Sequence, residues 1–163
     1  MASASQSGDA RVRIAMASDN ETIAEIVNRA YVVEEFFLAG KRTDPDRIRA
    51  LMEKGKFLLR ENGGRIVGSV YVEIRGERGY FGLLAVEPEM QGRGLGRFLV
   101  GAAEDYARKN GCRAMDLTIV NLRTELPPFY RQLGYAEDGT EPFHADAKVR
   151  LACHFIKMTK PLA

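Results

Sequence analysis

The sequence predicts an α+β fold, one domain on a mixed β-sheet of about seven strands flanked by about four helices. Three observations predict it. Apolar patterns of period two and period 3.6 succeed one another in the order β-α-α-β-β-β-α-β-α-β-β. Three consecutive strand patterns within residues 57–86 are joined by short glycine-containing turns, which makes an antiparallel meander. The chain has 163 residues, near the roughly 150 of one domain, and shows no internal repeat or interdomain linker, so residues 11–163 are read as a single domain. Composition then limits function. A hydrophobic fraction of 45% with 28% charged residues suits a soluble globular protein rather than a disordered one. Lys plus Arg number 24 against 22 Asp plus Glu, a net charge of +2, which argues against nucleic acid as a partner held by a broad basic face. No apolar run approaches the ~18 residues of a spanning helix, so no membrane partner is expected.

Each element has its own signal. Residues 1–10 lack the basic start and apolar core of a secretion signal and read as a disordered polar tail. Residues 11–17 alternate Val12, Ile14 and Met16 with polar or small residues, a short strand. Ser18 and Glu21 have the spacing of a capping box, and the helix it opens carries Ile23, Ile26, Val27 and Ala30 on one stripe. Asp44 caps a second helix, with Pro45 in its first turn and Ile48, Leu51 and Met52 inward. Strands follow at 57–60, 65–75 and 80–86; in the second, Ile66, Val70, Val72 and Ile74 share a face that Gly68 interrupts as a bulge or close-approach point. The third is almost wholly apolar, as a central strand covered on both faces would be. A helix then runs to about Lys109 on the stripe Leu95, Phe98, Leu99, Ala102, Ala103 and Tyr106, stopped by Asn110-Gly111. Residues 114–120 form a strand, 128–133 a short helix ended by Gly134, and 135–159 two more strands. Cys112 and Cys153 are too few for a disulfide framework and too far apart for a metal knuckle, so no metal and a reducing cytoplasm are expected.

The informative stretch lies between the apolar strand and the long helix. Gly92, Gly94 and Gly96 stand at the helix start, where missing side chains expose successive backbone N–H groups beside a partial positive charge. Arg93 and Arg97 reinforce it, and the result is an anion site suited to a pyrophosphate. A P-loop needs Lys-Ser/Thr after its last glycine, and Arg97-Phe98 stands there. The dinucleotide fingerprint needs Gly or Ala where Arg97 sits. With Gln91, the run Gln91-Gly92-Arg93-Gly94-Leu95-Gly96 instead matches Gln/Arg-x-x-Gly-x-Gly/Ala. Leu84-Ala85-Val86 and Pro88 precede it, Asn121 follows the next strand, and Phe129-Tyr130-Arg131-Gln132-Leu133-Gly134-Tyr135 comes later. In these motifs the sequence resembles the GNAT superfamily of N-acetyltransferases.

The resemblance implies a GNAT-like acyltransferase fold and acetyl-CoA as cosubstrate. Backbone groups of Leu84, Ala85 and Val86 would hold the pantetheine arm as an added strand does. Amides from Gly92, Arg93, Gly94, Leu95, Gly96 and Arg97 would hold the pyrophosphate, and Asn121 would meet the pantetheine amides where two parallel strands splay. Tyr130 would be the catalytic acid that protonates the departing thiolate. The family's acceptor walls correspond to residues 31–43 and 139–148, and within or beside them Tyr31, Glu34, Glu35, Tyr80 and His144 are candidate substrate-binding residues. The expected reaction is direct transfer in a ternary complex to a primary amine of a small-molecule acceptor, a choice of acceptor that the resemblance itself does not make.

Two departures from the pattern matter. Some members carry a general-base Glu where Tyr80 stands, so base catalysis falls to another residue, with Glu73, Glu34, Glu35 and His144 as candidates, to a water chain, or to no group at all. The interval from Asn121 to Tyr130 is a couple of residues longer than usual, which could displace Tyr130 from the sulfur. A non-catalytic coenzyme-A-binding sensor or subunit, and an acetyltransferase of a protein N-terminus or lysine, remain as alternatives. Relatives of this type commonly form a homodimer, and no exposed apolar stripe in the sequence decides the matter.

Overall fold

Strand alternation and helical stripes place two apolar layers against one sheet. The computed structural model describes residues 11–144 and 148–162; the expected tail at 1–10 and part of the expected acceptor wall, 145–147, lie outside them. The strands are β1 (Arg11–Ile14), β2 (Lys56–Asn62), β3 (Arg65–Arg75), β4 (Arg78–Val86), β5 (Ala114–Val120), β6 (Ala136–Pro142) and β7 (His154–Pro161). The helices are α1 (Asn20–Ala30), α2 (Pro45–Met52), α3 (Leu95–Lys109) and α4 (Leu126–Gln132). One seven-stranded sheet has the order β1-β2-β3-β4-β5-β7-β6. Every neighbouring pair is antiparallel except β4 with β5, which is parallel.

Two cores result. α1 and α2 bring Ile23, Ile26, Val27 and Ile48 against Phe57, Leu59 and Tyr71 on one face. α3 brings Leu99, Val100 and Ala103 against Leu58, Val70, Phe81 and Met115 on the other. Successive β2 residues point to opposite faces, so the run Phe57-Leu58-Leu59 feeds both. Each large apolar side chain so buried contributes about 1.5–3 kcal/mol. Asp44 caps α2 as expected, its carboxylate accepting from the Arg47 amide at 2.9 Å. Gly111, at φ +84, ends α3.

Local signals misled in three places. The Ser18–Glu21 box does not form, and β1 ends at Ile14. Asp19 takes the role through a 3-10 turn, accepting from the Met16 amide at 2.7 Å and from Arg13 at 2.8 and 3.0 Å. A charge-assisted two-pronged contact outcompetes a neutral hydroxyl. In β3 the register against β2 slips at Arg60/Glu61, so Val67 is the extra residue of a bulge. Ile66 therefore faces α1 while Val67, Val70 and Val72 face α3. Gly68 is also a close approach: a Cβ there would lie 2.9 Å from Leu99 Cδ1. In α3 the buried line is Leu95, Leu99, Ala103 and Ala107, with Val100 beside it. Phe98 is rotated out to the surface, under the Arg60 guanidinium at 4.4 Å from its centroid. Glu104, one turn on from Val100 beside that line, is buried too, and there the Tyr135 hydroxyl donates to it at 2.7 Å and Lys160 at 3.0 Å. Cys112 and Cys153 are both free thiols.

Candidate active site

The sheet opens at its one parallel seam. β4 and β5 pair only over residues 78–80 and 114–116, and Tyr80 stands in the last pair. Beyond it β4 bulges: Tyr71 opposes Gly82 and Ser69 opposes Ala85, so Leu83 and Leu84 face Val70 alone. Leu83 takes φ +51, a left-handed conformation costing an L-residue about 1–2 kcal/mol. The bulge turns β4 away from β5 and leaves its edge at 81–86 without a strand partner.

Two clefts enter this opening. One, of 520 Å³, is lined by Leu84, Val86, Gln91, Gly92, Gly94, Leu95, Gly96 and Arg97, with Arg123, Phe129 and Tyr130 opposite. Gly92 and Gly94 take φ +80 and +79, and nothing lies within 4 Å of where a Cβ would stand. Such turns aim consecutive amides outward, and Gly94 is the N-cap of α3, so the cradle fits a pyrophosphate. Gln91 Nε2 donates to the Val86 carbonyl at 3.3 Å and fastens the turn to the end of β4. The unpaired β4 edge suits an extended amide arm. Of the other residues expected here, Arg93 is exposed and outside the lining, and Ala85 is buried against α1. Asn121 is tied to β7, its Oδ1 accepting from the His154 amide at 2.8 Å, and it lines neither cleft.

The second cleft, of 570 Å³, lies between β4, β5 and the 31–43 segment. It shares Tyr31, Leu84, Leu126 and Tyr130 with the first, so the two meet there. Tyr130 on α4 is 5% exposed, packed against Phe129 at 4.9 Å and Phe81 at 6.0 Å between ring centroids. Burial raises the pKa of its phenol and holds it neutral. The added residues before α4 form a turn at 122–125, with the Leu126 amide bonded to the Arg123 carbonyl at 3.0 Å, and Tyr130 still reaches the junction. Tyr31 is pushed up to about 12 by burial.

Glu34, Tyr80 and His144 all line this second cleft; Glu35 is exposed outside it. Glu34 is 5% exposed and accepts from Arg123 Nη1 at 2.9 Å through Oε2, while burial raises its pKa. Glu73 lies off the cleft and is occupied, accepting from Tyr71 Oη at 2.6 Å and from Arg75. Tyr80 lies beneath the Arg75 guanidinium at 4.3 Å from its centroid. Arg42 completes the wall of this cleft, and Arg123, which lines the first cleft, reaches Glu34; sequence pattern singles out neither as a site residue. The only sequence signal for Arg42 is the change from acidic to basic along 31–43. Among the described residues no group of three or more His, Cys, Asp or Glu side chains is placed to hold a metal ion.

The profile of the acetyltransferase (GNAT) family matches residues 20–135, from α1 to the end of the turn after α4. The chain belongs to the GNAT family. Mycothiol acetyltransferase of Propionibacterium freudenreichii subsp. shermanii is 29% identical over 98 residues, 58% of this chain but 31% of that protein's length. Among solved structures, YncA of Salmonella typhimurium, determined with its cofactor acetyl-CoA, superposes with TM-score 0.72 at 23% identity over 95% of each chain. The Escherichia coli ribosomal-protein-S18-alanine N-acetyltransferase superposes with TM-score 0.75 at 17% identity over 94% of each. Both superpositions extend over nearly the whole chain, so the fold described above is shared with these proteins.

Proposed function

We propose that the protein is an acetyl-CoA-dependent N-acetyltransferase that moves an acetyl group to a primary amine of a small-molecule acceptor, directly and in a ternary complex. The observation that carries this reading is the meeting of two clefts at Leu84 and Tyr130. One has the glycine turn and open strand edge that suit coenzyme A, and the other has polar walls that suit an amine. When bound, acetyl-CoA supplies an activated acyl carbon and a thiolate leaving group. The Gly92–Gly96 turn fixes the pyrophosphate, the β4 edge aligns the arm, and amides freed by the bulge polarise the carbonyl. The buried Tyr130 phenol, neutral at all working pH values, donates to the departing sulfur. The polar lining of the second cleft, with Glu34, Arg42, Arg78 and Asp116, supports a small amine acceptor, and acetylation of a peptide N-terminus or lysine in preference to small amines would overturn that choice.

Isothermal titration with acetyl-CoA tests cofactor use, and absence of binding would overturn the reading. Tyr130→Phe should lower kcat by about 10²–10⁴-fold and leave the acetyl-CoA Kd unchanged. An unchanged kcat across the pH range would remove Tyr130 from the role of acid. Tight coenzyme binding with no thiol release over a panel of amines would favour a non-catalytic binding module.

A further inference from the structure

A phenol beside the open seam owes its place to a missing side chain. Tyr80 ends the pairing of β4 with β5, two residues before Gly82 and three before the left-handed Leu83. Side chains two apart on a strand share a face, and the Tyr80 ring lies along β4 over Gly82. A Cβ built at Gly82 would stand 2.9 Å from Tyr80 Oη and 3.4 Å from the nearest ring carbons. An alanine there would push the end of the ring aside, so the bare backbone at 82 is what lets the hydroxyl reach the start of the bulge. The Arg75 guanidinium covers the ring at 4.3 Å from its centroid, and Arg75 is itself tied to Glu73.

The hydroxyl so placed is available to a ligand. It makes no hydrogen bond among the described residues and stays open to the second cleft. The charged groups around that cleft are engaged with one another. Glu34 Oε1 and Arg42 Nε, buried without hydrogen-bond partners, face each other at 3.8 Å. Arg78 grips Asp116 with two bonds of 2.8 and 2.7 Å, and Lys157 lies 3.9 Å from Glu141. Tyr130 lines both clefts, whereas Tyr80 lines the second and not the first. Burial is the chief cause of the raised pKa values of Tyr31 and Tyr130, and Tyr80 adds to both, so the three phenols converge on the junction.

Building on the acetyltransferase reading, we infer that Tyr80 orients the acceptor amine and that Gly82 is the positioning residue that places it. Tyr80 Oη accepts a hydrogen bond from one N–H of the bound, uncharged amine, which turns the nitrogen lone pair toward the acyl carbon at the β4 edge. Tyr80 takes up no proton in this role. Holding a nucleophile at its angle of attack lowers the barrier without tighter binding of the cosubstrate. The two phenols divide the work: Tyr80 meets the nucleophile on the acceptor side, and Tyr130 meets the leaving sulfur on the coenzyme side.

The test uses the full chain, saturating acetyl-CoA and two small nucleophiles, hydroxylamine and propylamine, with thiol release measured above the uncatalysed rate. Acetyl-CoA affinity, measured by calorimetry, judges the enzyme reading alone. Tyr80→Phe keeps the ring under Arg75 and removes only the hydroxyl. It should lower kcat/KM for at least one of the two nucleophiles about 10–100-fold, while the acetyl-CoA Kd and the Tm stay as in the wild type. Gly82→Ala should give a loss of similar size, because it displaces the same hydroxyl. In the double variant, Gly82→Ala should cost little beyond Tyr80→Phe, whereas two separate structural effects would multiply. Thiol release equal in wild type and Tyr80→Phe would overturn the inference and leave the acetyltransferase reading in place. Losses that multiply in the double variant would do the same. Acetyl-CoA bound with no thiol release to any nucleophile would overturn both.

Discussion

Arg123 shows how one side chain sets the chemistry of another. Burial raises the Glu34 carboxyl, and the charges and hydrogen bond of Arg42 and Arg123 pull it back down. With Glu34 taken as the base among the candidates of the cleft, it accepts a proton from substrate only above its own pKa, so kcat/KM should rise with pH through that value. Arg123→Gln removes one opposing influence, and the acidic limb of the pH–kcat/KM profile should move to higher pH, while Glu34→Gln should lose that limb. A limb unmoved in Arg123→Gln would show that another group sets it. Legibility at this scale is uneven. The turn from Gln91 to Gly96 could be read because six neighbouring residues carry its geometry by themselves. The Glu34–Arg123 bond joins positions 89 apart in sequence, and no local pattern reports it. The orphaned Glu34 Oε1 and Arg42 Nε are a tertiary property of the same kind.

At the level of elements, sequence patterns located β1 to β5 and the four α-helices, gave β6 and β7 only as a pair within 135–159, missed the three 3-10 turns among the described residues, and misassigned some faces. α3 was legible in extent from its glycines at either end. Its buried line, Leu95, Leu99, Ala103 and Ala107, leaves out Phe98 of the expected stripe, and the β3 bulge puts Val67, and not Ile66, on the face beneath it. A period-two pattern cannot reveal a one-residue insertion that reverses the following parity. Leu99 shows where α3 bears on the sheet: it is fully buried and would be 2.9 Å from a Cβ at Gly68. Leu99→Ala should cost about 2–5 kcal/mol and lower Tm by roughly 5–15 °C in a circular-dichroism melt. A fall of only a degree or two would mean that the helix repacks over the gap. The β4 bulge with Leu83 at φ +51 had no signal, since leucine is not a residue that announces a left-handed backbone.

Across the whole molecule, buried carboxylates fasten the sheet to its covering layer. Asp19 is held below the usual carboxylate range by the hydrogen bonds of Arg13, against burial. Glu87 is lowered by Arg29, which reaches it from α1 at 2.8 and 2.7 Å, with Arg65 adding to the effect. Both folded pKa values lie beneath the unfolded ones. Their stabilisation is therefore complete above the unfolded carboxylate range and is lost as pH falls through the folded values. Denaturant unfolding should give ΔG nearly flat above about pH 5 and falling at lower pH. Asp19→Asn should lower the plateau and reduce the acid slope; an unaltered slope would exclude Asp19 as a source of it.

The three-residue pairing of β4 with β5 has a consequence for energy as well as for access. Four strands stand on one side of that seam and three on the other, and the Arg78–Asp116 clamp reinforces the short stretch where they touch. A ligand arm laid along the open edge would occupy the place of missing ladder bonds, so the sheet would be most continuous when loaded. Any ligand that binds only the folded chain at 100 times its Kd adds about 2.7 kcal/mol to the unfolding free energy. The protein would thus meter its own durability by the supply of that ligand: scarce cosubstrate would mean a seam more prone to part, and abundance a sheet held shut.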